Sequence, residues 1–181
     1  MIRTLTTLAV AFVALNCFAQ GPSDHLPKSH GKIAVSNAPV TSAEAYTMFQ
    51  KVEKALRAVN EITEVGTPST IVPSSQPITR ERTIIEMGRL YDLVKPKFTI
   101  RLRVVSFDPS VFTLKDKTAR AEASKLVAAG CIGRYAQLVA GSGPTMQVGP
   151  FGDAVGLFIS RIAEFTHVPS SRFSPYLKLG R

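Results

Sequence analysis

The chain has 181 residues, of which 45% are hydrophobic, and its 22 Lys and Arg residues outnumber its 13 Asp and Glu residues, giving a formal net charge of +9 at pH 7. This length allows one domain with its own hydrophobic core, or two very small ones. The positive excess favours anionic partners. The positive residues form no block and are not interleaved with aromatic residues, so no nucleic-acid partner is expected.

Residues 1–19 have the pattern of a secretory signal peptide. Arg3 is followed by an uncharged run from Leu5 to Ala14, and Cys17-Phe18-Ala19 precedes Gln20. We therefore expect cleavage before Gln20 and a protein that is secreted, periplasmic or associated with the cell envelope. The apolar run is shorter than the roughly 20 residues that cross a bilayer, so no transmembrane span is expected after cleavage. An uncleaved anchor is the alternative.

Cysteines and histidines offer little for covalent or metal chemistry. Once the signal peptide is removed, Cys131 is the only cysteine, which excludes an intramolecular disulfide. Residues 20–40 are rich in Gly and Pro and predict a flexible leader. His25 and His30 lie in this leader without a third ligand at a useful spacing. No metal site and no cofactor are expected.

The first helix-loop-helix unit is predicted over residues 41–95. Thr41 and Glu44 form a capping-box pattern, and apolar residues then recur every three or four positions, which predicts a helix from about Ser42 to Ile62. A loop rich in Thr, Ser and Pro covers residues 66–77. Thr79 can then cap a second helix that continues to about Leu93.

An extended segment is expected between the two units, over residues 96–106. Phe98, Ile100, Leu102 and Val104 alternate with polar residues, which is typical of a strand with one buried face. A single strand has no obvious partner in this sequence. Residues 98–105 are therefore either a strand or an extended connector that lies over helices.

The second unit is predicted over residues 107–167, followed by a basic tail over residues 168–181. Its helices run from about Asp116 to Ala129, ended by Gly130, and from about Gly152 to Phe165. The tail contains two prolines and no acid, and we expect it to be poorly ordered or to lie on the surface. The fold class is thus mainly α, a small helical bundle of two helix-loop-helix units.

Two segments resemble one known family. Residues 126–135 read Leu-Val-Ala-Ala-Gly-Cys-Ile-Gly-Arg-Tyr, and residues 76–81 read Gln-Pro-Ile-Thr-Arg-Glu. The first resembles the place in S-layer homology domains where a helix ends in Leu-x-x-x-Gly-Ile-Ile-x-Gly-Tyr. The second is similar to the Pro-Val-Thr-Arg-Ala-Glu start of that family's second helix.

This resemblance implies binding of an anionic cell-wall glycan. It points to Thr79, Arg80 and Glu81 at a helix start, and to Arg134 and Tyr135 after a helix end, as candidate ligand-binding residues. In this interpretation the Arg80 guanidinium meets a carboxylate or ketal of the polymer. The alternative is that Thr79 only caps the helix while Arg80 is solvated.

No catalytic arrangement can be recognised in the sequence. Ser142 lies in a Gly-Ser-Gly triplet without the Gly-x-Ser-x-Gly elbow, and His167 is the only histidine in the part expected to fold. We therefore expect a non-enzymatic binding or structural protein of the cell envelope. The alternatives are an exported protein-interaction subunit with a basic docking surface and, third, a small secreted hydrolase.

Overall fold

The structure, a computed structural model, describes residues 38–100 and 106–177. The predicted signal peptide at 1–19, the leader up to residue 37, and residues 101–105 and 178–181 lie outside the described part. The described residues are mainly helical, which confirms the predicted fold class. The α-helices are α1 (Ser42–Val59), α2 (Arg80–Val94), α3 (Lys117–Ala128), α4 (Gln137–Ala140), α5 (Val148–Phe165) and α6 (Ser174–Leu177). Within residues 38–100 and 106–177, no helix is both long and apolar enough to cross a membrane.

The start of α1 is set by the predicted capping box. The Thr41 hydroxyl accepts a hydrogen bond from Glu44 N, and the Glu44 carboxylate accepts one from Thr41 N at 2.9 Å. The helix ends at Val59, three residues before the predicted end, because Glu61 takes a positive φ of 53° that the helix cannot continue through. Ile62 is nevertheless buried beyond that turn.

Helix α3 ends as its glycine predicts. Gly130 has a φ of +73°, and the N–H groups of Gly130 and Cys131 donate to the carbonyls of Val127 and Leu126. This pair of bonds is the Schellman arrangement. Helix α5, by contrast, begins at Val148 rather than Gly152, since a proline is tolerated in the first turn, where its missing N–H has no partner in any case.

Three segments far apart in the sequence meet just before α1, α2 and α5. Val40 N donates to Met146 O, Met146 N to Ile78 O, and Ile78 N to Val40 O, at 2.8–3.1 Å. The three side chains are buried. This closed ring of hydrogen bonds, which we call the helix-start triangle, makes the three longest helices begin from one point.

The extended segment after α2 is a connector in the part that is described. Residues 98–100 form no strand; Thr99 N donates to Phe165 O at 2.9 Å. The Phe98 ring packs edge-on against both Tyr91 and Phe165. The remaining residues of the predicted strand, 101–105, lie outside the description.

The expectation that the chain after His167 is poorly ordered or lies on the surface is wrong for Phe173 and Leu177, whereas residues 170–172 are exposed as expected. Phe173 and Leu177 are 0% and 1% exposed, and α6 packs against α1. The physical reason is that Phe173, Tyr176 and Leu177 have helical spacing, so they present one apolar face to the core. Pro175 does not prevent this, because it lies in the first turn of α6.

An ionic cluster, formed by Glu53, Glu86 and Arg89, joins α1 to α2. The Arg89 guanidinium lies 2.6 Å from Glu53 and 2.7 Å from Glu86, whose side chain is fully buried. Arg89 also donates to Thr67 O at 2.7 Å, while Thr70 N donates to Glu86 at 3.2 Å. The cluster therefore fixes the loop between the two helices as well as the helices themselves.

The same cluster predicts a loss of stability in acid. Burial raises the pKa of Glu53, but hydrogen bonds from Arg89 and Arg57 and their charges outweigh it, so the pKa lies below the usual 4.5. The folded state then binds fewer protons than the unfolded state, and the stabilisation is complete above pH 4.5 and is lost as the pH falls through the folded pKa. Urea titrations between pH 7 and pH 3 should show this decline, and Glu53→Gln should make it shallower. An unchanged slope in that variant would contradict the assignment.

Candidate functional site

A surface groove lies between the chain that follows α3 and the first half of α5. It has a volume of about 550 Å³ and is lined by residues 132–138 together with Pro150, Asp153, Ala154 and Leu157. Most of this lining is apolar, with a few polar groups at its edge. That combination is typical of ligand sites, which need apolar contact area and a small number of orienting groups. We call it the Tyr135 groove.

Two exposed apolar side chains make this groove unusual. The Tyr135 side chain is 68% exposed and Leu157 is 40% exposed, although both are large. The Arg134 guanidinium lies over the Tyr135 ring, 4.8 Å from its centroid, an arrangement in which the ring quadrupole attracts the cation. Arg134 and Tyr135, both candidates from the sequence, are therefore together at the groove.

Arg80, the third candidate, does not face this groove. Its side chain is buried, with the residue 6% exposed, and all its partners are within the protein. Nε donates to Gly143 O at 2.5 Å, Nη2 to the Thr113 hydroxyl at 3.1 Å, and Nη1 to the carbonyls of Gln137 and Leu138 at 3.3 and 3.4 Å. Burial lowers the pKa of Arg80, which the charge of Glu81 partly offsets.

The position of Arg80 gives it a structural relation to the groove. Gln137 and Leu138, whose carbonyls it binds, are part of the groove wall. Arg80 therefore holds that wall from behind, while Arg134 lies at its front. Arg80 therefore binds the backbone of the segment that contains Arg134, but only Arg134 lines the groove.

Thr79 and Glu81 also have partners within the fold. The Thr79 hydroxyl accepts from Arg82 N at 3.2 Å and so caps α2. The Glu81 carboxylate accepts from the backbone N–H groups of Lys115 and Asp116 at 2.7 and 2.9 Å. Both side chains therefore fix the starts of helices α2 and α3, and of the five sequence candidates only Arg134 and Tyr135 line the groove.

Asp153 and Leu157 were missed as candidates in the sequence. The buried residues of α5 recur on one face, which includes Val155, Phe158 and Ile162. Asp153 and Leu157 are four residues apart on the opposite, exposed face. Their four-residue spacing on the polar side of an amphipathic helix is the sequence signal that places these two side chains next to each other.

Cys131 has the environment of a structural residue. It is fully buried, and this burial raises the pKa of its thiol to about 12, helped by the charge of Glu164 and opposed by Arg161. Since the thiolate is the reactive form, this environment keeps the thiol protonated and unreactive near neutral pH. In a Cys17→Ser chain, we expect a disulfide-exchange reagent to label Cys131 at least 100-fold faster in denaturant than in buffer. Rapid stoichiometric labelling of the folded chain would contradict this.

Within residues 38–100 and 106–177, no group of three or more His, Cys, Asp or Glu residues is arranged to hold a metal ion. Comparison of the chain with profiles of known protein families, with curated proteins and with solved structures gave no match.

Proposed function

We propose that this chain is an exported, non-catalytic binding protein that holds an anionic glycan of the cell envelope in the Tyr135 groove. The observation that carries the proposal is the exposed Tyr135 ring with the Arg134 guanidinium over it, at the mouth of an apolar groove. An exposed aromatic face offers contact area for the apolar faces of sugar rings. A guanidinium binds carboxylates in a bidentate way.

Three further features support this function. The chain has a net charge of +9, or +8 once Arg3 is removed with the predicted signal peptide, which attracts polyanions. The pattern of residues 1–19 favours export, which would bring the protein to such polymers. The resemblance of residues 126–135 to S-layer homology domains agrees with a glycan ligand, since this segment includes Arg134 and Tyr135.

The export step has its own test. Mass spectrometry of the protein recovered from the producing cell should give a chain that begins at Gln20, found outside the cytoplasm. An intact amino terminus on protein from the cytosol would contradict export.

A pull-down with purified cell-wall polymer tests the binding step. We expect the chain to be retained at low salt and partly released at about 0.5 M salt, since salt screens the Arg134 contact more than the apolar ones. Tyr135→Ala and Arg134→Ala should each weaken retention about tenfold, the loss expected for one charge-assisted or aromatic contact.

Arg172→Ala is the matched control for this experiment. Arg172 is exposed and lies outside the groove, so this variant removes the same charge as Arg134→Ala but leaves the groove intact. Equal losses of polymer retention in Arg134→Ala and Arg172→Ala would show that binding depends only on the net charge of the chain. No retention of the unaltered chain at any salt concentration would overturn the proposal.

A partner protein is the second candidate, and the exposure of Leu157 favours it. Protein interfaces bury apolar side chains at their centre, whereas a glycan gains less from an aliphatic one. Leu157→Ser should therefore abolish binding to an envelope protein while reducing polymer retention only slightly.

The cell-wall polymer should also keep its length when it is incubated with the chain, because the proposed function includes no cleavage.

A further inference from the structure

The Tyr135 groove is lined by two side chains of opposite charge that form no ion pair with each other. Arg134 and Asp153 both line it. Among the described residues neither of them forms an ion pair. The Arg134 guanidinium lies over the Tyr135 ring instead, and Asp153 is exposed. The groove thus offers a cation and an anion that do not pair with each other, with apolar side chains beside them.

Other local roles for Asp153 are absent in the described structure. It lies in the second turn of α5, beyond the first turn where an acid stabilises a helix start. It accepts no hydrogen bond from a helix N–H, unlike Asp116, whose carboxylate caps α3. Glu164, which lies on the same side of α5 but about three turns further along, pairs with Arg161. Asp153 is therefore free to meet a group from outside.

We propose, on the basis of the glycan function above, that the ligand is zwitterionic: a wall glycan carrying a carboxylate and a free ammonium group, such as an amino sugar without its acetyl group. Arg134 binds the carboxylate and Asp153 accepts hydrogen bonds from the ammonium. The apolar lining of the groove contacts the sugar ring between the two charges. Asp153 is then the residue that decides specificity for the amine.

Two forms of one purified wall polymer provide the test, one fully N-acetylated and the other with its N-acetyl groups removed. We expect the chain to bind the de-N-acetylated form at least fivefold more tightly, the size of effect that one charge-assisted hydrogen bond produces. This preference runs against long-range electrostatics, because a chain of net charge +9, or +8 once Arg3 is removed with the predicted signal peptide, repels added ammonium groups. Tighter binding of the de-N-acetylated form would therefore indicate that an acidic side chain contacts the ammonium group.

Asp153→Asn should remove the preference, so that this variant binds the two forms of the polymer equally well. Glu164→Gln is the matched control, since it removes an acid from the same side of α5 at a position outside the groove. That variant should keep the preference. A melting curve for each variant shows that the fold is intact.

The possible failures are distinguishable. If neither form of the polymer binds, the glycan function itself is overturned. If both forms bind equally well, or if Asp153→Asn keeps the preference, the glycan function stands and the zwitterionic ligand is overturned. If Glu164→Gln loses the preference as Asp153→Asn does, the effect comes from net charge and the assignment of Asp153 is wrong.

Discussion

Replacing Arg89 with methionine is expected to lower the free energy of unfolding by about 3–5 kcal/mol, because removing one partner of a buried pair leaves an uncompensated charge. The side chain of Arg89 is 7% exposed, and that of Glu86, its partner, is 0% exposed. Methionine has a similar volume but donates no hydrogen bonds. The variant therefore leaves the Glu86 carboxylate buried without its cation. Urea unfolding followed by circular dichroism measures the change.

Arg57→Met is the control for this variant. Arg57 also pairs with Glu53, but its side chain is 27% exposed, and partly solvated ion pairs contribute about 0–1 kcal/mol. The double variant Arg89→Met with Glu86→Leu should recover part of the loss, since no unpaired charge then remains. An Arg89→Met chain as stable as Arg57→Met would show that the cluster does not hold α1 and α2 together.

The helices could be predicted because their signals are local. A capping box, apolar residues at helical spacing and a terminal glycine all act within a few residues, and α1, α2 and α3 begin and end within three residues of their predicted bounds. Helix α5 begins four residues before its predicted start at Gly152, since a first turn accepts Pro150, and the short helices α4 and α6 were not predicted.

The helix-start triangle could not be predicted in the same way. It requires residues 40, 78 and 146 to meet, and each of these segments reads as a short loop before a helix. Nothing in the spacing of one segment reveals the others. The docking of α6 could not be predicted for a related reason: the prolines and basic residues of the tail favour an exposed segment, although Phe173, Tyr176 and Leu177 share one face.

The candidate site also contains some residues that could be predicted from the sequence and others that could not. Arg134 and Tyr135 follow a glycine-ended helix and were named from a family resemblance, while Asp153 and Leu157 join them only because α5 lies alongside. The burial of Arg80 could not be predicted from its position in the sequence. An arginine at the first position of a helix is usually solvated, and its burial here depends on carbonyl groups more than 55 residues away.

Arg80→Met is expected to lower the free energy of unfolding by about 2–4 kcal/mol, since three carbonyl groups in buried or partly buried hydrogen bonds lose a charged donor. The affected carbonyls belong to Gln137, Leu138 and Gly143. Arg80→Lys should recover only part of the loss, because an ammonium cannot reproduce the planar fork that reaches several acceptors. Arg82→Met, which removes an exposed arginine two positions later, should change stability by less than about 0.5 kcal/mol.

The glycan assay gives this variant a second use. If Arg80 holds the groove wall from behind, then Arg80→Met should lose stability and polymer binding together, and limited proteolysis should cut residues 137–143 faster than in the unaltered chain. If the guanidinium instead contacts the polymer directly, as the family resemblance suggested, binding should fall while stability and proteolysis stay unchanged. The two readouts together decide between a positioning residue and a ligand-binding one.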